Sequence, residues 1–288
     1  MLLDRVVGEP PTPVHPVVLF GRAMGIAEQR IYRDKRLAGA VHAAIGTTLG
    51  AGGGALVRST TAATVIAVGG RALLQAALAV EAALAGGDED RARELLPSLV
   101  GRDPSGLDAA EIARAVVESV AENTVDAVVA PAMWAALAGA PGALGYRAVN
   151  TMDAMVGHRS QRYSNYGWAS ARLDDVANWV PARCTAALVA LVRPGSAKEV
   201  RRAVATQAPA HPSPNAGVAE AAFAAALGIR LGGTNRYGER TEVRPQLGWG
   251  RGARLDDIAQ AVRLSRDVGT ALAAVLGIAG AAQWWRRR

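Results

Sequence analysis

Apolar stretches alternate with shorter polar blocks along this 288-residue chain. Five of the stretches approach the roughly 20 residues that a helix needs to cross a bilayer, and they lie at 37–57, 61–84, 127–146, 176–192 and 268–285. The period-two alternation of exposed strands is nearly absent. The pattern predicts an all-α polytopic integral membrane protein, in which residues 1–288 form a single membrane-embedded domain with polar connecting helices and loops.

The three middle stretches are the least regular of the five. Arg71 and Glu81 interrupt the second, Pro131 and Pro141 lie in the third, and Arg183 enters the fourth. Each is compatible with a buried core helix or a re-entrant hairpin as well as with a span. Basic residues flank both ends of the chain, which favours cytoplasmic termini and an even number of crossings. We therefore expect at least one of the five stretches not to cross.

Two connecting helices carry recognisable start signals. The segment 88–96 is patterned as an amphipathic helix, and Ser105 or Asp108 is placed to cap the helix that carries Glu118.

Composition narrows the class of partner. Half of the residues are hydrophobic but only two are Phe, which favours close packing of small side chains as in membrane helices. The formal charge of +7 suits anionic lipid or phosphorylated, carboxylate-rich small molecules. Nucleic acid is disfavoured because no nucleic-acid-binding signature accompanies the charge. Cys184 is the single cysteine, which excludes an intramolecular disulfide and a cysteine-rich metal site.

The polar block between 118 and 183 begins with three acids at helical spacing. Glu118, Glu122 and Asp126 are spaced i, i+4 and i+8, so a regular helix would place them on one face, with Asn123 beside them. Three like charges on one face require a cation or an arginine to balance them.

Further along the block, acids and amides recur at helical spacing. Asn150 and Asp153 stand at i, i+3, as do Arg172 and Asp175. Oxygen clusters of this kind suit Mg²⁺ carried with a phosphate. The alternative interpretation is that these are solvated helix faces joined by ordinary intrahelical ion pairs.

Two loop motifs contain the remaining candidate chemistry. In HPSPNAG, His211 precedes a proline, and Ser213 and Asn215 lead into a helix whose N-terminus is suited to an anion. The segment LGGTNRYG, which includes Arg236, brings glycines together but lacks the Lys-Ser/Thr of a P-loop.

Five sequence blocks resemble the adenosylcobinamide-phosphate synthase family of cobalamin biosynthesis. In chain order they are GEPPTPVHPVVLFGR, VESVAENTVDAVVAP, AVNTMDAMVGHRSQRY, YGWASARLDDVANWVPAR and HPSPNAGVAEAAFAAALGIRLGGTNRYG. The resemblance implies a multi-pass protein of the cell membrane. It also implies an ATP-dependent ligase that joins aminopropanol or its O-phosphate to a propionate carboxylate of adenosylcobyric acid.

The resemblance implies Mg²⁺ and ATP as co-substrate, with no permanently bound cofactor. The implied partners are adenosylcobyric acid, aminopropanol or its phosphate, membrane lipid and other cobalamin-assembly enzymes, but no nucleic acid. On this basis the predicted catalytic residues are Glu118, Glu122, Asp126, Asp153, Asp175 and His211, with His211 as the base for the incoming ammonium. The predicted metal ligands are Asp153, Asp174 and Asp175. The predicted substrate-binding residues are Arg22, Asn123, Asn150, Arg172, Ser213, Asn215 and Arg236.

Two other functions are compatible with a membrane protein that carries buried charge. A membrane Mg²⁺-dependent alcohol-phosphate or prenyl transferase would favour repeated D-x-x-D or D-x-x-x-D pairs, and Asp174-Asp175 lacks that spacing. A transporter would favour longer, cleaner spans and internal symmetry.

Overall fold

The structure is a computed structural model that describes residues 15–101, 103–158, 160–237 and 240–286, without the side chains of 235–237, 240 and 241. The start of the first motif, GEPPTPV, lies outside these residues, as does the side chain of Arg236.

Helices dominate the described chain, as predicted. They are α1 Pro16–Ile31, α2 Arg36–Val57, α3 Thr60–Ala67, α4 Gly70–Ala85, α5 Glu89–Leu95, α6 Ala109–Thr124, α7 Ala130–Met152, α8 Trp168–Ala177, α9 Trp179–Val192, α10 Ala197–Thr206, α11 Ala216–Leu227 and α12 Leu255–Arg286. Wider π-helical turns lie at Val125–Val129 and Asp153–Gly157, before and after α7. Asp108 caps α6 in a reciprocal capping box with Glu111, which confirms the predicted start of that helix.

A small sheet interrupts the helical pattern. Its strands are β1 Ile229–Tyr237, β2 Arg240–Leu247 and β3 Arg251–Gly252, in the order β2-β1-β3. The hydropathy pattern does not predict this sheet, because glycines and arginines in LGGTNRYG hide the strand alternation. The segment is a bulged strand that pairs antiparallel with β2.

Within the described part of the chain, four helical segments are long and apolar enough to cross a membrane, at 36–57, 60–85, 109–157 and 255–286. They contain four of the five predicted stretches. The fifth, 176–192, falls on α9, whose 14 residues are too few to span alone. The helical membrane-protein fold class is therefore confirmed by length and composition.

The described residues form two compact units. Unit 1 contains residues 15–70 and 126–181, and unit 2 contains residues 71–125 and 182–286. Each unit is assembled from two separate stretches of chain. The single-domain prediction is not tested by this division.

In unit 1, glycines let α2 pack closely on α7. Added Cβ atoms at Gly46, Gly50 and Gly54 would overlap Met152, Ala148 and Ala140 respectively. This i, i+4, i+8 stripe is the small-residue packing expected between membrane helices. The large residues Leu37, Val41, Ile45 and Leu49 of the same helix are exposed, so α2 turns its small face inward and its large apolar face outward.

In unit 2, α6 packs on α11 and α12. Buried Thr124 of α6 donates its hydroxyl to Ser265 of α12 at 2.8 Å. At the start of α12, Arg251 makes two hydrogen bonds of 2.6 and 2.9 Å to the buried carboxylate of Asp257. These contacts fix the framework that carries the polar groups of unit 2.

Candidate functional site

Each unit contains a polar cluster, and the one in unit 1 centres on Asp174. Asn150 and Asn178 donate their side-chain amides to the two carboxylate oxygens of Asp174, at 3.2 and 3.0 Å. The hydroxyl of Tyr146 donates to Asn178 at 2.8 Å and lies 3.5 Å from the carboxylate of Asp126. Burial is the main cause that raises the pKa of Asp174 above its ordinary value. The cluster therefore joins five residues from separate turns of the chain.

The other acids of the polar block take different positions. Asp175 pairs with exposed Arg172 at 3.1 Å, which confirms the predicted i, i+3 pair and follows the ordinary pattern of a solvated helix face. Asp153 lies in the second π-helical turn, with its carboxylate against the backbone of Gly157.

The predicted metal ligands can be compared with the needs of Mg²⁺, which are several oxygen ligands in near-octahedral geometry. Among the described residues, no three His, Cys, Asp or Glu side chains come together to hold a metal ion. Both carboxylate oxygens of Asp174 also accept amide hydrogens. The described residues do not form a ready resident Mg²⁺ site, and the assignment of Asp153, Asp174 and Asp175 stays a prediction.

In unit 2, Arg114 and Glu118 of α6 hold the bulge of β1. Glu118 accepts the backbone N–H of Gly232 at 2.9 Å, while Arg114 donates to the carbonyl oxygens of Gly232 and Thr234 at 2.7 and 3.1 Å. Gly232 has φ of 84°, a left-handed conformation that favours glycine. An added Cβ there would overlap the Pro245 carbonyl oxygen. Gly232 of the segment LGGTNRYG is thus in close contact with protein groups.

His211 lies in the loop before α11 and is almost fully buried. Its Nδ1 is 3.1 Å from both the backbone nitrogen and the carbonyl oxygen of Ser213, and its Nε2 is 3.8 Å from Glu220. Burial, first, and the Arg244 charge lower the pKa of His211, against the opposing effects of its backbone hydrogen bond with Ser213 and of the Glu118 and Glu242 charges. The imidazole is therefore held neutral near pH 7.

Glu220 connects His211 to an arginine. Its side chain is 1% exposed on α11, and the same Oε1 that faces His211 lies 3.9 Å from Nη1 of Arg244. Arg244 also contacts Glu242 at 3.4 Å. A histidine, a guanidinium and two carboxylates thus form one partly buried charged cluster.

Ser213 and Asn215 organise the helix start beside this cluster. The hydroxyl oxygen of Ser213 accepts the backbone N–H groups of Asn215 and Ala216 at 3.3 and 3.1 Å. Arg183 donates to the side-chain oxygen of Asn215 at 3.2 Å. The predicted anion-binding helix start is therefore already capped by Ser213, and the nearby cation is Arg183.

The acidic stripe predicted on α6 is only partly realised. Glu118 is buried, Glu122 is exposed, and Asp126 lies beyond the start of the π-helical turn, in unit 1. Because that turn departs from the regular 3.6-residue repeat, the i+8 spacing does not extend one α-helical face. Asn123 donates to the carbonyl of Ser119 at 2.9 Å, and Arg22 is exposed on α1.

Several residues of the two clusters were not predicted. They are Arg114, Tyr146, Glu220, Glu242 and Arg244. The sequence held a signal for one of them, because Glu220 is a single acid in the otherwise apolar helix AGVAEAAFAAAL. Arg114 stands four residues before Glu118, which resembled an ordinary surface pair.

The chain is similar to a family of known proteins over most of its length. The family model described as CobD/Cbib protein matches residues 1–265. The cobalamin biosynthesis protein CobD of Mycobacterium tuberculosis is 50% identical over 292 residues, which cover 96% of this chain and 92% of the relative. Its counterpart in Chromobacterium violaceum is 44% identical, with 92% and 89% covered.

A third relative, the cobalamin biosynthesis protein CobD of Geobacter metallireducens, is 41% identical, with 86% of this chain and 84% of the relative covered. No solved structure matches the chain. The family match, the high identity of full-length relatives and the helical membrane-type fold agree with one another, and the chain belongs to the CobD/Cbib family.

Proposed function

We propose that this protein is an enzyme of cobalamin biosynthesis, an ATP-dependent ligase that joins aminopropanol or its O-phosphate to a propionate of adenosylcobyric acid. The product is adenosylcobinamide or its phosphate. Membership of the CobD/Cbib family supports the pathway. The resemblance of the sequence blocks supports the reaction.

The observation that carries the proposal is the charged cluster of unit 2. His211 and Arg244 both approach Oε1 of Glu220, and Arg183 binds the adjoining loop at Asn215. Guanidinium groups suit carboxylates and phosphates, which adenosylcobyric acid, ATP and aminopropanol phosphate carry. A neutral imidazole among them can accept the proton that an ammonium must lose near neutral pH.

The proposed reaction has two balanced steps. A propionate oxygen attacks the γ-phosphorus of ATP, so that an acyl phosphate forms and the bond to the departing ADP breaks. The amine nitrogen then attacks the acyl carbon, an amide forms, and inorganic phosphate leaves. The amine must lose its ammonium proton before it attacks, since a protonated nitrogen has no lone pair.

Different side chains of unit 2 are proposed to bind the substrates and to accept the proton. Arg183 and Arg244 are proposed to bind anionic groups of the substrates, together with Ser213 and Asn215. His211 accepts the ammonium proton at Nε2, and Glu220 stabilises the resulting imidazolium. In unit 1, Asn150 and Asp174 are proposed to contact the corrinoid or nucleotide.

We further propose that Mg²⁺ arrives with ATP as part of the co-substrate, which does not require a resident metal cage in the protein. The four long apolar helices support a multi-pass location in the cell membrane, where membrane lipid surrounds the protein. Other cobalamin-assembly enzymes are proposed as partners in handing over the corrinoid.

The direct test is ligation by the full-length protein in detergent or nanodiscs. Adenosylcobyric acid, ATP and Mg²⁺ are supplied with either aminopropanol or aminopropanol phosphate, and the corrinoid is read by mass spectrometry. We expect a mass gain that equals the amine minus water, and one ADP for each amide formed. Folded protein that gives no amide with either amine would overturn the proposal.

Variants then locate the reaction. We expect Arg244→Gln to raise KM for an anionic substrate, whereas Arg266→Gln on α12 leaves KM unchanged as the matched control. If the two substitutions change KM equally, the unit 2 cluster is not part of the substrate site.

A further inference from the structure

The apolar stretch 127–146 is broken at its middle. Ala138 has φ of −130° and ψ of 16°, and Gly139 has φ of 64° and ψ of −149°, neither of which is helical. Positive φ with an extended ψ is nearly restricted to glycine. Pro141 follows and cannot continue the hydrogen-bond ladder of the preceding turn. The sequence thus encodes a chain reversal inside what would otherwise be a single span.

The chain folds back on itself at this break. An added Cβ at Gly142 would overlap the carbonyl of Trp134, eight residues earlier. The hydroxyl of Tyr146 comes within 3.4 Å of the backbone carbonyl of Asp126, twenty residues earlier. In a straight helix those residues would stand about 30 Å apart. Residues 126–152 are therefore a helical hairpin with its tip at Ala138.

Each arm of the hairpin is too short to cross a bilayer. The charge-free part of the first arm, 127–138, has a length of roughly 18 Å, and that of the second, 139–146, roughly 12 Å, at the usual helical rise. The hydrocarbon core is about 30 Å thick. Charge reappears immediately beyond these charge-free parts, at Asp126 and Arg147. A hairpin with these dimensions can enter the hydrocarbon layer but not reach its far side.

The surface of the hairpin and its neighbouring helix suits lipid. The tip residue Leu137 is 75% exposed. Next to the hairpin, Val176, Trp179 and Val180 are exposed while Asn178 among them is 1% exposed. Trp134 of the first arm fixes this segment by donating to the carbonyl of Ala177 at 3.1 Å. Polar groups turned inward and apolar groups outward are the arrangement that a lipid surround favours and water does not.

We propose that residues 126–152 form a re-entrant hairpin. They enter the membrane and return to the same side, and the lipid bilayer is the partner of the exposed apolar surface formed by Leu137, Val176, Trp179 and Val180. The cluster of Asp126, Tyr146, Asn150, Asp174 and Asn178 then lies at the mouth of the hairpin, on one side of the membrane. This inference concerns topology and does not depend on the reaction proposed above.

Cysteine labelling tests the topology. Cys184 is replaced by Ser, and single cysteines are introduced as Glu122→Cys before the hairpin, Ala138→Cys at the tip and Ala154→Cys after it. A membrane-impermeant maleimide is applied to right-side-out and inverted membrane vesicles. A membrane-permeant maleimide measures the total reactive cysteine of each variant. We expect positions 122 and 154 to react from the same side, and position 138 to react with the permeant reagent alone.

Each other pattern contradicts the proposal. Reaction of 122 and 154 from opposite sides would indicate one full crossing. Reaction of 138 from the side opposite to the ends would indicate two crossings, and reaction from the same side would place the tip in water. If Ala138→Cys does not fold, Leu137→Cys replaces it. A spin label at the tip in nanodiscs gives a second readout, since we expect it to be reached by oxygen but not by a polar nickel complex.

Discussion

At the scale of single residues, burial decides what the charged groups of this protein can do. His211 and Glu220 are 2% and 1% exposed at their side chains, so water screens their interaction poorly. By contrast, Arg172 and Asp175 form a pair at the surface, where ion pairs contribute little. The unit 2 cluster is therefore where substitutions should have the largest consequences.

Replacement of His211 tests the proposed base. We expect His211→Gln to lower kcat about 100-fold or more, because general base catalysis typically contributes about 10²–10⁴. KM should change much less. The matched control is His158→Gln, because the His158 side chain is exposed and its ring meets Tyr163 edge to face. A kcat that is the same in His211→Gln and in wild type would show that another group accepts the proton.

The lowered pKa of His211 makes a separate prediction about stability and pH. Because burial lowers this pKa below the ordinary value of 6.5, the unfolded chain takes up the proton before the folded protein does. At pH values above the ordinary pKa, His211 is neutral in both the folded and the unfolded state, and its titration does not change the stability. As the pH falls from the ordinary pKa towards the lowered pKa, the unfolded chain is protonated first, and the folded state loses stability. We expect the melting temperature of His211→Gln to fall less than that of wild type as pH falls from about 7.5 to about 5.5. Parallel curves for the two proteins would contradict the assignment.

At the scale of elements, two close approaches shape the fold, and glycine makes both possible. In unit 1 the stripe of Gly46, Gly50 and Gly54 packs α2 on α7. In unit 2 Gly232 provides the bulge that Arg114 and Glu118 hold. The sequence analysis predicted small-residue packing in general terms. The partner helix could not be predicted, because contact between distant segments leaves no local pattern.

The helix contact can be tested by adding one methyl group. We expect Gly50→Ala to destabilise the protein by about 1–3 kcal/mol, since the new Cβ would lie 2.7 Å from the Leu144 carbonyl oxygen and overlap Ala148. Gly52→Ala in the same helix is the control, because its Cβ meets nothing within 4 Å. Melting temperatures in detergent should separate the two. Equal melting temperatures would mean that α2 does not pack through this face.

The bulge can be tested in the same way. Gly232→Ala places a side chain at positive φ and against Pro245, and we expect a cost of about 1–3 kcal/mol. Ligation should fall as well, since Glu118 loses its fixed partner near His211. Gly252→Ala on β3, where an added Cβ has open space, should behave as wild type. If Gly232→Ala keeps full activity and stability, the bulge does not support the reaction site.

At the scale of the whole molecule, local pattern predicted more than long-range arrangement. Hydropathy located the long helices, and the Asp108 cap and the Arg172–Asp175 pair followed from spacing alone. The packing of α2 on α7 and the contact of Arg114 with the bulge of β1 depend on residues far apart in sequence. The same reason explains why Arg244 was missed, since it belongs to no local motif with His211.

The most direct test of the central claim follows the atoms of the reacting carboxylate. Adenosylcobyric acid labelled with ¹⁸O in its free propionate is ligated to aminopropanol phosphate by the purified protein with ATP and Mg²⁺. We predict one ¹⁸O in inorganic phosphate and one retained in the amide, because activation passes through an acyl phosphate. The label in AMP would reveal an adenylate instead, and amide formation with no label in any phosphate product would contradict activation of the carboxylate by ATP.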